Sequence, residues 1–283
     1  MAATGRQELI EVRIVEQVAL LALDHPPVNG LSLALRRALC ETLWAVAAAP
    51  AVRAIVLLGA GRGFSAGGDT RELGTPASVT PPGLSSHVHL AIERSPVPVI
   101  AALHGFAIGG GLETALACHC RIARADTLIG LPEVGLGVLP LSGTQRLPRM
   151  TDLETAVNLV VTGQRLAAGA PAVRALIDRI IPPDANLEQA ALAFAAKVLA
   201  GAPPLLVRNR RLVSRPEAAV LAALRRRHAQ HPPAVRAAID AIAAAYECQD
   251  FDAGLARARA LYDGLERELA AGHRAEVHPE QRT

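Results

Sequence analysis

The sequence predicts an α/β protein, and three observations carry that prediction. The chain has 283 residues, 51% of them hydrophobic, enough to bury a large core. Through the first half, short apolar runs alternate with segments of helical period. From Asp152 onward the helical period takes over. This order predicts a strand–helix core over residues 1–200, a helical subdomain over 201–270 and a polar tail over 271–283.

Taken in order, "LIEVRIVEQVALLALDHP" alternates like a pair of strands and stops at Pro26-Pro27, and "LSLALRRALCETLWAVAAAP" has helical spacing up to Pro50. "VRAIVLLG" is the next strand, with "GRGFSAGGD" as the loop behind it. "TPASVTPPGLSS" has the composition of a mobile segment, of the kind that admits ligands beside a site. "VPVIAAL" reads as a buried strand, "GGGLETALACH" as a helix opened by glycines, and "RIARADTLIGLPE" as short strands leading to Pro132-Glu133. The helical region comprises "DLETAVNLVVTG", "AGAPAVRALI", "NLEQAALAFAAKVLA", "PLLVRNRRLVS", "PEAAVLAALRRRH", "PPAVRAAIDAIAAAYE" and "DAGLARARALYDGLERELAA". Pro203-Pro204 and Pro232-Pro233 mark its joints, and the tail "GHRAEVHPEQRT" is expected to fray.

Composition excludes several functions. Aromatic residues are 2% and the net charge is +3, too little stacking surface and too little charge for a nucleic-acid binder. Lys197 is the only lysine, which leaves no phosphate-loop lysine and no evident Schiff-base candidate. Arg225, Arg226 and Arg227 are consecutive on a helix and so point in different directions, as on a solvated or subunit-facing surface. Of Cys40, Cys118, Cys120 and Cys248 only the C-x-C pair is close, and residues two apart on a helix face nearly opposite ways. No metal site, redox cofactor or disulfide is expected, and free cysteines together with an N-terminus lacking an apolar signal core suit the cytoplasm. The apolar stretch from Ser95 to Cys120 is broken by two prolines and a glycine triplet, so no membrane span is expected.

The loop "GRGFSAGGD" admits three chemistries. Gly63-Phe64-Ser65-Ala66-Gly67 spells the G-x-S-x-G elbow of a serine hydrolase. Six residues, Gly59 to Phe64, lie between the strand's apolar run and Ser65, however, and "AGGDTRELG" is a weak helix former. A dinucleotide loop requires G-x-G-x-x-G running into a helix, but Gly59, Gly61 and Gly63 fall one place short and Asp69 and Glu72 follow at once. In the third chemistry the glycines expose backbone N–H groups to an oxyanion. "HGFAIGGGLE" supports it, because Gly109, Gly110 and Gly111 open a helix whose free N–H groups and positive dipole end converge. Two acids follow in apolar surroundings, Glu113 one turn into that helix and Glu133 behind Pro132. Carboxyls so placed have raised pKa values and exchange protons near neutrality. The structural alternative is that Glu113 only complements its helix terminus and Glu133 only caps a turn.

"FSAGGD", "HGFAIGGGLETALACHCRIA" and "GLPEVGLGVLPLSGTQRLPR", with "PPVNGLSLALRRAL" before them, together resemble the enoyl-CoA hydratase/isomerase (crotonase) superfamily. The resemblance covers residues 9–181, and "GLPEVGLGVLP" is most like the hydratase part of multifunctional β-oxidation enzymes. The late helices look like the linker that follows that part, and no G-x-G-x-x-G lies beyond them. The resemblance implies a spiral of ββα units followed by C-terminal helices, an acyl-CoA thioester substrate, and a homotrimer or hexamer. It also implies oxyanion donors at the N–H of Gly68 and Gly110, and catalytic glutamates at Glu113 and Glu133. Substrate contacts would fall at Val28, Gly30, Phe64, Ala66, Gly67, Asp69, Gly109, Pro132 and Gly137, with Arg62 offered to the coenzyme A phosphates. Two glutamates favour hydration of a 2,3-enoyl thioester. The alternatives are Δ3-Δ2-enoyl-CoA isomerisation, hydrolysis at Ser65 and a non-catalytic acyl-CoA-binding or scaffold role.

Two positions depart from the family pattern. Only Leu141 and Ser142 separate Pro140 from Gly143, where relatives usually have three small residues, a change expected to shift Glu133 or narrow the acyl pocket. Glycine also stands at position 68, where hydratases often carry alanine.

Overall fold

The computed structural model describes residues 4–7 and 9–277. Its main sheet begins with an antiparallel meander, β1 (Thr4–Gln7), β2 (Ile10–Val15) and β3 (Val18–Leu23). The chain then crosses through α1 (Leu33–Ala47), capped by Ser32, to β4 (Ala54–Gly59), which lies parallel to β3. Residues 60–88 form the loop, a short helix α2 (Pro76–Val79) and a wide turn at 84–88. Next come α3 (His89–Glu93), β5 (Val99–Leu103), β6 (Phe106–Ile108), α4 (Gly110–Ala117), β7 (Cys120–Arg124) and β8 (Leu128–Gly130). A tight turn at Glu133–Leu136 leads to α5 (Gly143–Arg146) and α6 (Leu153–Thr162), then to β9 (Leu166–Ala167) and β10 (Arg179–Ile181). The helices α7 (Leu187–Ala200), α8 (Ala218–Arg227), α9 (Pro233–Glu247) and α10 (Phe251–Val277) complete the chain.

The larger sheet has the order β1-β2-β3-β4-β5-β7-β10, parallel from β3 onward, and β6-β8-β9 form a second, smaller sheet. Side chains alternate across a strand, so a strand covered on both faces must be apolar throughout. Val18 and Leu20 of β3 accordingly join Val56 and Ile100 beneath α7, where Leu187, Ala191 and Ala195 pack. Ala19, Leu21 and Leu23 face the other way, into a core shared with Leu35, Leu39 and Leu43 of α1. That second core continues to Ala238 and Ile242 of α9 and to Ala258 and Leu265 of α10.

Four expectations change. "PLLVRNRRLVS" holds a single turn at Val207–Asn209 instead of a helix, because Leu205 and Val213 are exposed and only Val207 is buried. "AGAPAVRALI" is likewise a tight turn (Pro171–Leu176), followed by β10, a three-residue edge strand whose pairing with β7 its own sequence does not announce. The helix of α10 runs past Gly272 to Val277, whereas fraying was expected from there; positions 278–283 lie outside the described residues. "TPASVTPPGLSS", expected to be mobile, is tied down by Arg36, whose guanidinium donates to the carbonyls of Ala77 and Pro82 at 2.8 Å each.

Candidate active site

The loop behind β4 is sewn between two neighbours. Ala66 N–H donates to Val28 O (2.9 Å) and Leu31 N–H to Gly67 O (2.8 Å), while Ile108 N–H donates to Ser65 O (3.0 Å). Asn29, in the left-handed region at φ 52°, donates through Nδ2 to the carbonyls of Ala60 and Gly63. Gly67 has φ 94°, and a Cβ there would stand 2.6 Å from Ile108 O, so only glycine lets this loop approach α4. Gly109 has φ 54° and ψ −129°, and its bare Cα makes room for the Glu133 carboxyl: a Cβ would lie 3.0 Å from Oε1.

These two turns bring Gly68 and Gly110 together, a Cβ on Gly110 falling 3.3 Å from Gly68 N. Gly110 is the first residue of α4, where an N–H has no intrahelical acceptor. Neither amide donates to another described residue. Both line a cavity of about 840 Å³ together with Glu113 and Glu133.

The two acids sit in contrasting environments. Glu113 Oε1 accepts from Gly143 N–H (2.7 Å) and Ser142 Oγ–H (3.0 Å), which leaves Oε2 for a ligand. Burial raises its pKa, and those donors together with the Arg146 charge oppose the rise. Among the described residues Glu133 finds no hydrogen-bond partner for either buried oxygen, and burial plus the neighbouring Glu113 charge hold its pKa well above the ordinary carboxylate value. Between the two, the ionised form is therefore favoured at Glu113 and the protonated form at Glu133. The short loop at Leu141-Ser142 bears on Glu113 through its donors, whereas the sequence suggested an effect on Glu133, and Leu141 lines the cavity.

Helix α10 roofs the cavity from the same chain, contributing Tyr262 and Glu266. Glu266 accepts from Gly74 N–H (3.2 Å), Ser78 Oγ–H (3.3 Å) and Tyr262 O–H (3.0 Å), pinning the roof to the loop below.

Of the residues singled out in the sequence, Gly68, Gly110, Glu113, Glu133, Ala66, Asp69, Gly109 and Pro132 line the cavity. The others lie outside its lining. Phe64 is core, Gly67 is buried behind the two amides, Val28 supports the loop by accepting from Ala66 N–H, and Gly30 O accepts from Ser32 N–H beside it. Gly137 ends the turn after Glu133 in a left-handed conformation against Leu269, and Arg62 is exposed. Ser65 is fully buried; its hydroxyl donates to Asn29 O (2.7 Å) and accepts from Gly67 N–H (3.1 Å), so it is no free nucleophile. Arg225 of the basic run is held by Asp240 and Glu247.

Sequence reasoning missed Arg36 and His89, and named Ser142 without its role as a donor. Only Ser142 left a signal, as half of an unusually short loop.

The fold and the cavity together define an enzyme of the crotonase class. Residues 13–233 match the family described as enoyl-CoA hydratase/isomerase, and the chain belongs to that family. It is 42% identical over 188 residues to the human peroxisomal bifunctional enzyme, covering 66% of this chain and 25% of that protein. It is 37% identical over 202 residues to a probable enoyl-CoA hydratase of Bacillus subtilis (strain 168), covering 70% of this chain and 78% of the other. The chain thus spans about a quarter of the length of the bifunctional relatives it matches. A crystal structure of enoyl-CoA hydratase from Bacillus anthracis superposes with a TM-score of 0.63 at 29% identity, covering 96% of this chain and 97% of that one.

Proposed function

We propose that this chain is an enoyl-CoA hydratase. The observation that carries the reading is the asymmetry of the two acids: Glu113 has donors that favour its ionised form, and Glu133 has none. One cavity thereby holds a base and an acid. The N–H groups of Gly68 and Gly110 receive the thioester oxygen, and Glu113 takes a proton from water as the hydroxyl oxygen bonds to Cβ. The C=C electrons move onto the oxygen as an enolate, which the two amides stabilise. Glu133 then delivers its proton to Cα, and the proton gained by Glu113 returns to the pair. No step calls for a metal or redox cofactor, and coenzyme A enters only as part of the substrate.

Crotonyl-CoA tests the proposal through loss of the conjugated enoyl-thioester absorbance. No loss with any chain length overturns it. One observation favours a second reading: Glu133, free on both oxygens, could alone carry a proton from C2 to C4 of a 3-enoyl thioester. That isomerase activity would make the same absorbance grow from a 3-enoyl-CoA. A homotrimer or hexamer belongs to the proposal and is checked by light scattering on the eluting protein. Among the described residues no helix is long and apolar enough to cross a membrane.

A further inference from the structure

Behind Glu113 runs a buried chain of hydroxyl and imidazole groups. Ser142 Oγ lies 3.0 Å from Glu113 Oε1 and 3.2 Å from His89 Nδ1, and His89 Nε2 lies 3.2 Å from Thr114 Oγ1. His89, Thr114 and Ser142 are each wholly buried. The proton positions follow from counting donors. Thr114 spends its only hydroxyl proton on Gly110 O at 2.7 Å, and its oxygen also receives Gln145 Nε2–H at 3.0 Å. His89 must therefore be the donor at Nε2, and in a neutral imidazole that leaves a bare lone pair at Nδ1. Burial and the Arg146 charge keep His89 neutral. Ser142 then has one proton and two acceptors, the Glu113 carboxylate and His89 Nδ1.

We propose that the Ser142 hydroxyl is a two-position rotor, donating to Glu113 while that carboxylate is ionised and turning to His89 Nδ1 once Glu113 has taken a proton. In the second state the Glu113 carboxyl, protonated on the free Oε2, turns so that this O–H donates to Ser142 Oγ while its other oxygen keeps the Gly143 N–H, and the chain Glu113–Ser142–His89–Thr114 is satisfied without a break. His89 and Ser142 are thus positioning residues that make proton uptake by Glu113 easier than a fixed donor would. Gly143 N–H alone would favour the ionised form and weaken the base. The charged and titratable groups facing this chain are Glu133 from the turn after Pro132, Arg146 from α5, Glu93 from α3, paired with Arg146 at 2.6 Å, and Tyr262 from α10. The catalytic consequence rests on the hydratase reading, but the proton placement does not.

The test reads protons directly. In the 13C NMR titration of carboxyl-labelled protein, with Glu113 assigned by its disappearance in Glu113→Gln, the two partners should move Glu113 in opposite directions. Ser142→Ala, which removes a donor to the carboxylate, should raise its midpoint by roughly one pH unit, the worth of a hydrogen bond to a charged group. His89→Leu, which leaves Ser142 no acceptor but Glu113, should lower it. His89→Gln, which offers an acceptor and a donor on one amide, should restore it. The 15N shifts of wild-type His89 should show the Nε2–H tautomer, a readout that survives if a variant fails to fold. Shifts of the same sign in Ser142→Ala and His89→Leu, or an Nδ1–H tautomer, overturn the rotor. Absence of crotonyl-CoA hydration by the wild type overturns the hydratase reading while the titration still decides the rotor. If both stand, the acid limb of the kcat/KM profile moves with the NMR midpoint in each variant.

Discussion

Replacing Arg36 by methionine should destabilise the protein by about 3–5 kcal/mol, the range for stripping one partner from a buried ion pair. The structure supplies the terms. The Arg36 side chain is 6% exposed and its Glu72 partner 17%, at 2.9 Å. The same guanidinium donates to Leu31 O, Ala77 O and Pro82 O, each at 2.8 Å. Methionine keeps much of the stem's volume, so the loss falls on charge and hydrogen bonds. Glu72 would retain one donor, the Leu33 N–H at 2.8 Å, which softens the loss toward the lower figure. Urea unfolding measures it as a fall in midpoint at unchanged slope. Because the loop that Arg36 holds lines the cavity from Thr75 to Val79, KM for the acyl-CoA should rise more than kcat falls. The double variant Arg36→Met, Glu72→Gln should be less damaged than the sum of the singles, since it leaves no stranded carboxylate. A single-variant loss below about 1 kcal/mol, the range of a surface pair, or strict additivity in the double would refute this account.

Glu133→Gln should cut hydration at least about 100-fold, the usual share of a general acid, yet leave the fold more stable than wild type near neutral pH. Folded Glu133 keeps a proton that the unfolded chain releases, so wild-type stability falls as pH climbs from the ordinary carboxylate range toward the raised value. The advantage of glutamine should therefore vanish in acid and grow toward neutrality. A pH-independent difference in melting temperature contradicts it. Ser65→Ala should lose about 1–2 kcal/mol of stability through its two buried hydrogen bonds and keep most activity; labelling of Ser65 by a fluorophosphonate would instead support the hydrolase. Glu266→Ala should speed amide hydrogen exchange at Gly74, because it removes that N–H's acceptor. Unchanged exchange there would mean that α10 does not hold the loop.

Strands β3, β4 and β5 were legible because each is apolar on both faces, as with "VPVIAAL" in β5. The start of α4 and the convergence of two glycine-rich turns were legible from the glycines, while the choice of Gly68 and Gly110 within them came from the family resemblance. Contacts between distant segments were not. Arg36 reads as one more helical arginine until the loop it clamps, more than forty residues later, folds over it. Edge strand β10 has three residues and borrows its register from β7, so no periodicity could reveal it. "PLLVRNRRLVS" failed for the opposite reason: its apolar residues suit a helix, but Arg208 binds Glu93 and Asp252 and draws the chain into an extended path.

The division of labour between the two glutamates shows where local sequence stops being informative. Glu113 and Glu133 both stand among apolar and glycine neighbours in the chain, and the carboxyl groups of both are buried. Neighbours in sequence would give them similar pKa values. They are set apart by groups brought from elsewhere: Ser142 and Gly143, about thirty residues on, donate to Glu113, while Glu133 rests against Gly109, which supplies no side chain and whose N–H is spent on Gly130 O. A side chain at position 109 would displace the Glu133 carboxyl, and a donor there would lower its pKa. The missing Cβ of Gly109 is therefore part of the acid–base design, because it keeps Glu133 close to Glu113 and unsolvated, the two conditions that hold its proton in place.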